Sequence, residues 1–239
     1  MLPFIFHKRL FLYLFVSFIL AVVVGIMSHE CGHWLVTRCF GFHGQHIRYN
    51  ATFYGRPDDK WLRRDSTLQA EYAEFSSGVD FPGKGEYQKL QNTRDRDYFL
   101  ITAGGPLETM LAGTIGLLLL FLYRKKIAQT DWLSFGQWLM VFLSLFWLRE
   151  IFDVVVAVIR LWAGRAWMEG DEFLMARSLH WPTWSIFTVT SIVSLLVLWV
   201  VIFRFIPARQ RLTFILAGFT GGLTGAYLWL VLLGPKLMP

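Results

Sequence analysis

Residues 10–27 pass without a charged side chain, immediately after Lys8 and Arg9. A stretch of that length and character spans the hydrocarbon core of a bilayer as one helix, because only a helix satisfies its own backbone polar groups in lipid. Further apolar runs follow, giving expected spans at about 10–36, 98–123, 132–160, 181–203 and 212–234. The third run differs from the others in carrying Arg149, Glu150 and Asp153 inside it. The expected fold class is an all-α polytopic membrane protein of about five transmembrane helices, with residues 1–239 forming one membrane-embedded domain. Composition agrees. Of the residues, 55% are hydrophobic and 17% charged, which excludes a disordered chain and argues against an ordinary soluble domain. A cleaved signal peptide is not expected at the start, since the apolar stretch runs straight into Ser28-His29-Glu30-Cys31-Gly32-His33 without a small-x-small exit. The first helix is expected to persist to Phe40 and stop before Gly41.

Residues 41–97 form a polar segment between the first two spans, punctuated by Gly55, Pro57, Gly78, Pro82, Gly83 and Gly85. The alternating stretch 46–54 predicts a short β-hairpin, and residues 68–75 a short helix. The net charge of +6 raises the question of nucleic acid. The basic residues, however, sit mainly at the ends of apolar runs, where they anchor helices, so no nucleic-acid partner is expected and the lipid bilayer is the expected surroundings. Five spans divide the Lys and Arg residues into 14 on the side of the polar segment and 8 on the other. That leans toward a cytoplasmic polar segment. Cys31 and Cys39 lie eight residues apart on one expected helix, too far along it to form a disulfide.

The segment His29-Glu30-Cys31-Gly32-His33 is an HExxH pattern. On a helix, positions i and i+4 share a face, so both imidazoles reach one metal ion, while the intervening Glu stands where it can hold the metal's water. Zinc suits two histidines and a carboxylate with one open position, one ion per chain. Glu30 is then the catalytic residue, accepting a proton from water and returning it to the leaving nitrogen. Two histidines and a glutamate at the end of an apolar span are costly unless they are used.

A third metal ligand is needed. Asp171 follows Gly170 at a break between membrane segments, where non-helical backbone can aim a carboxylate inward. Asp153 is the alternative, although Arg149 one turn before it accounts for it as an ion pair. Gly104-Gly105-Pro106 opens the second span and is expected to break the helix, exposing backbone for an extended substrate segment or allowing tight helix packing. Glu108 is either part of a site or a partner of Arg149. His43 and His46 form HxxH and are more simply loop histidines than a second metal site. His7 and His180 read as interface residues.

Together these residues resemble the site-two protease family of intramembrane zinc metalloproteases. The resemblance rests on the HExxH in an apolar helix, Gly41 and the strand-like stretch after it, the Gly-Gly-Pro-Leu at 104–107, and a later Asp. It implies zinc held by His29, His33 and Asp171, Glu30 as acid and base, and a membrane-spanning segment of another protein as substrate. It also implies zinc toward the cytosolic side. The chain has Thr109 where the family often has Asn, and a Gly-Asp-Glu context around its third ligand. Competing functions are weaker. A diiron lipid desaturase needs several histidine boxes, and the chain has six histidines in all. A transporter finds little support in five spans without inverted symmetry. A non-catalytic, protease-like membrane scaffold has no physical need for Glu30 between His29 and His33.

Overall fold

The charge-free run forms α1 (Lys8–Cys39), 32 residues and so about 48 Å long. Its end follows from Gly41. That residue adopts φ +72°, which glycine takes without steric cost, and the Gly41 and Phe42 amides donate to Arg38 O and Thr37 O, closing the last turn. The computed structural model describes residues 5–55, 77–78, 80, 84–164 and 170–239. The expected helix at 68–75 lies outside them.

The hairpin is present. Strands β1 (His43–Arg48) and β2 (Ala51–Gly55) pair antiparallel, with Ile47 opposite Thr52 and Arg48 opposite Ala51. Phe53 is covered on β1 by the stacked His46 ring and by the Arg48 guanidinium. At the hairpin tip the Tyr49 amide donates to Met238 O, and Trp229 Nε1 donates to Tyr49 O. The tip is thereby fixed to the carboxyl-terminal end of the chain.

Two expectations need correction in α2 (Lys84–Leu122). It begins fourteen residues before the expected 98, taking the end of the polar segment into a helix. It also runs through Gly104-Gly105-Pro106 without a break, with Pro106 inside the helix. The glycines explain this: they let α1 and α2 approach closely enough that the proline is held within a packed helix pair. A Cβ on Gly104 would stand 2.8 Å from Gly32 O, and one on Gly32 would overlap the Gly104 carbonyl oxygen.

The expected single span at 132–160 is divided. After the short α3 (Arg124–Ala128) come α4 (Phe135–Ser144), a 3-10 turn (Leu145–Trp147) and α5 (Leu148–Trp162). Ser134 and Gln137 cap α4 reciprocally. The break lies where the chain presses on α2: a Cβ on Gly116 would overlap the Ser144 amide nitrogen, and one on Gly113 would meet Trp147. Then follow α6 (Asp171–Ser178), α7 (Ser185–Val200) with a π-helical continuation to Phe205, and α8 (Ala208–Tyr227), which continues through a second π-helical stretch into α9 (Gly234–Leu237).

Among the described residues, four helices are long and apolar enough to cross a membrane: Lys8–Cys39, Tyr87–Leu122, Ser185–Phe205 and Ala208–Leu237. Their outward faces are apolar, with Leu12, Leu20, Leu118, Trp199 and Phe219 all exposed, as lipid contact requires. α8 runs parallel to α1, since Gly221 meets Phe15 and Phe18, and Gly225 meets Ile19 and Val22. α2 runs antiparallel to α1, with Glu108 beside Ser28 and Ile101 beside His33. α7 follows the direction of α2, because its start lies by α6 (Phe173 on Phe187) and its end by Phe121 (with Phe205).

The apolar core occupies the half nearer the start of α1. Phe18 packs on Phe142 and Phe214, and Trp138 stacks on Phe214, with Leu14, Leu120 and Val141 buried around them. The other half holds buried polar groups instead: His29, Glu30, His33, Glu150 and Glu172.

Candidate metal centre

The HExxH segment lies 21 residues into α1, with both histidines facing α2 and buried. Their rings meet edge to face, bringing the two Nε2 atoms 3.2 Å apart. Asp171 arrives from another element. Gly170 turns the chain at φ +131°, and Asp171 opens α6 with Oδ2 at 2.9 Å from His29 Nε2 and 3.2 Å from His33 Nε2. Three donors from two helices distant in sequence thus converge in a near-equilateral triangle. On a tetrahedral zinc with bonds of about 2.0–2.1 Å, neighbouring donors stand about 3.3 Å apart. The observed edges match that spacing within a few tenths of an ångström.

The tautomers agree with this use. Ile101 O lies 2.7 Å from His33 Nδ1 and can only accept, so Nδ1 carries the proton and the neutral ring turns the Nε2 lone pair toward the triangle. His29 Nδ1 is buried with no hydrogen-bond partner among the described residues. Where the Nε2 atoms carry protons in place of an ion, their hydrogen bonds outweigh the burial that opposes charge on Asp171 and hold the carboxyl below the usual carboxylate range.

Gly105 makes the space. A Cβ there would stand 2.6 Å from His29 Nε2 and closer still to His33 Nε2, inside the volume an ion shared by these atoms would need. Gly104, Gly105 and Pro106, expected to bind substrate, are buried where α2 packs on α1. Thr109 is buried too, its hydroxyl donating to Pro106 O at 3.0 Å, which ties off the backbone around the proline.

Glu30 is 6% exposed and is held by a residue that the sequence did not single out. Thr52 Oγ1 lies 2.9 Å from Glu30 Oε2 and 2.8 Å from Glu30 O, so the second hairpin strand reaches the glutamate of the motif. Its only local signal is a place in the alternating stretch. The Ile101 carbonyl carries no sequence signal at all, being backbone.

The remaining candidates lie apart from the triangle. Asp153 pairs with Arg149 one turn before it on α5. Glu108 Oε1 accepts from Ser28 Oγ at 2.6 Å, a different partner from the expected Arg149. His43 and His46 are exposed, as is His180, and the His7 ring packs against Trp132. Cys31 and Cys39 are free and exposed.

No protein-family model, curated protein or solved structure matches the chain. The reading of the centre therefore rests on its own residues.

Proposed function

We propose that this chain is a membrane-embedded zinc metalloprotease that hydrolyses peptide bonds in or near transmembrane segments of other membrane proteins. The observation that carries the reading is the convergence of His29, His33 and Asp171 beside a buried glutamate that follows the first histidine directly. Two imidazoles and one carboxylate leave a coordination position open, as in a catalytic rather than a structural zinc site. Zinc held there supplies a Lewis acid and lowers the pKa of its water to about 7. Glu30, hydrogen-bonded by Thr52, would take a proton from the attacking water and return it to the leaving nitrogen. Ile101 orients His33, and Gly105 keeps the space clear.

The reading includes five crossings. α2 finishes on the side where α1 begins, and α7 starts on the opposite side, so the chain between them crosses once more through α4, the 3-10 turn and α5. The site then lies near the hairpin side, which holds 14 of the basic residues against 8 and is read as cytoplasmic.

The test is cleavage of single-span reporter proteins in proteoliposomes by wild type and Glu30→Gln. Cleavage by the wild type, with Glu30→Gln inactive and its zinc retained, supports the protease. Zinc without cleavage of any reporter would favour a protease-like scaffold.

A further inference from the structure

Glu150 and Asp153 stand one turn apart on α5, and Glu172 is the second residue of α6. One carboxylate oxygen from each lies within 4.8 Å of the other two. Glu150 is 1% exposed and Glu172 2%. Both side-chain oxygens of Glu150 and Oε1 of Glu172 are buried without a hydrogen-bond partner among the described residues. Among the described residues, the neighbouring Arg149 is already paired with Asp153. Buried carboxylates do not remain charged without a donor or a cation. The Thr190 hydroxyl beside Glu150 donates to Phe187 O, and one Glu150 oxygen stands with oxygens of two other acids.

We propose that Glu150, Asp153 and Glu172 form a second cation site, separate from the histidine centre, that takes a hard divalent ion of the calcium and manganese class. Donor chemistry selects the ion: three carboxylates with no nitrogen or sulfur suit Ca2+, Mn2+ or Mg2+ rather than zinc. Spacing permits it: three oxygens within 4.8 Å of one another can share an ion whose bonds are about 2.3–2.6 Å. The ion would join α5 to the start of α6. Because Glu172 directly follows Asp171, it would also fix the turn at Gly170 that delivers Asp171 to the histidines.

The full chain is purified in detergent, stripped with chelator and titrated with Mn2+, with and without one equivalent of zinc, free Mn2+ being read by electron paramagnetic resonance. One saturable Mn2+ per chain is expected, displaced by Ca2+ and unaffected by zinc. Glu150→Gln and Glu172→Gln should each weaken it by about tenfold or more, while zinc content stays unchanged. His29→Ala should lose zinc and keep Mn2+, which separates this site from the protease reading. Absence of saturable Mn2+ and Ca2+ binding in folded wild type would overturn the proposal, leaving the acids neutralised by protons alone. Loss of Mn2+ binding in His29→Ala would overturn it equally, by putting the ion in the histidine centre. If either glutamine variant fails to fold, the wild-type Tm serves: a rise with micromolar Ca2+ supports the site, and no shift contradicts it.

Discussion

The hydroxyl of Thr52 lies within hydrogen-bonding distance of both the carboxylate and the carbonyl of Glu30, 22 residues before it. A hydroxyl has one proton, so Thr52 donates to either oxygen, and both options hold β2 against the face of α1 that carries the motif. The hairpin is in turn fixed at its tip by Trp229 and Met238. Glu30 is therefore aimed by a chain of contacts that ends at the carboxyl-terminal helix. We expect Thr52→Val to lower kcat by about tenfold to a hundredfold, the worth of one hydrogen bond to a charged group, with zinc content unchanged. Thr52→Ser should restore the rate. A Val variant with wild-type kcat would show that the contact has no part in aiming Glu30.

Glu30→Gln should reduce kcat by about 10²–10⁴-fold, because the amide keeps the shape but cannot accept the proton. Its zinc stoichiometry, measured on the same preparation, should equal that of wild type.

Gly105→Ala and Gly32→Ala should fail differently. The Gly105 methyl meets the ends of two imidazoles, so the expected result is a folded protein whose zinc affinity falls by about tenfold to a hundredfold or more. The Gly32 methyl meets the Gly104 backbone instead, which cannot move aside, and the expected loss is stability of about 1–3 kcal/mol, read as a lower Tm. The same defect in both variants would contradict this assignment.

Asp153→Asn leaves Arg149 without its carboxylate in a largely buried position. Thermal unfolding in detergent should show a loss on the order of 2–3 kcal/mol, and zinc should stay bound. Arg149→Met, which removes the stranded charge, should recover part of the loss in the double variant.

What the chain discloses by itself follows from how local each cause is. The first helix, its stop at Gly41 and the face shared by His29 and His33 depend on residues a few positions apart, so they were legible. The hairpin was legible from its alternation. The break at Ser144 was not, because it arises where Gly113 and Gly116 of α2 meet the chain, 28 or more residues away in sequence. Gly104-Gly105-Pro106 misled for the same reason: local rules end a helix there, while packing on α1 sustains it. Asp171 could be suspected from Gly170, but its approach to the histidines depends on the path of the four helices α2 to α5 between them.

The central claim is that His29, His33 and Asp171 hold one zinc ion. Metal analysis of detergent-purified wild type, His29→Ala, Asp171→Asn and Asp153→Asn, each verified as folded, tests it most directly. The account predicts about one zinc per chain in wild type and Asp153→Asn, and loss in His29→Ala and Asp171→Asn. Folded wild type that takes up no zinc on reconstitution, or Asp171→Asn that retains it with unchanged affinity, would contradict the account.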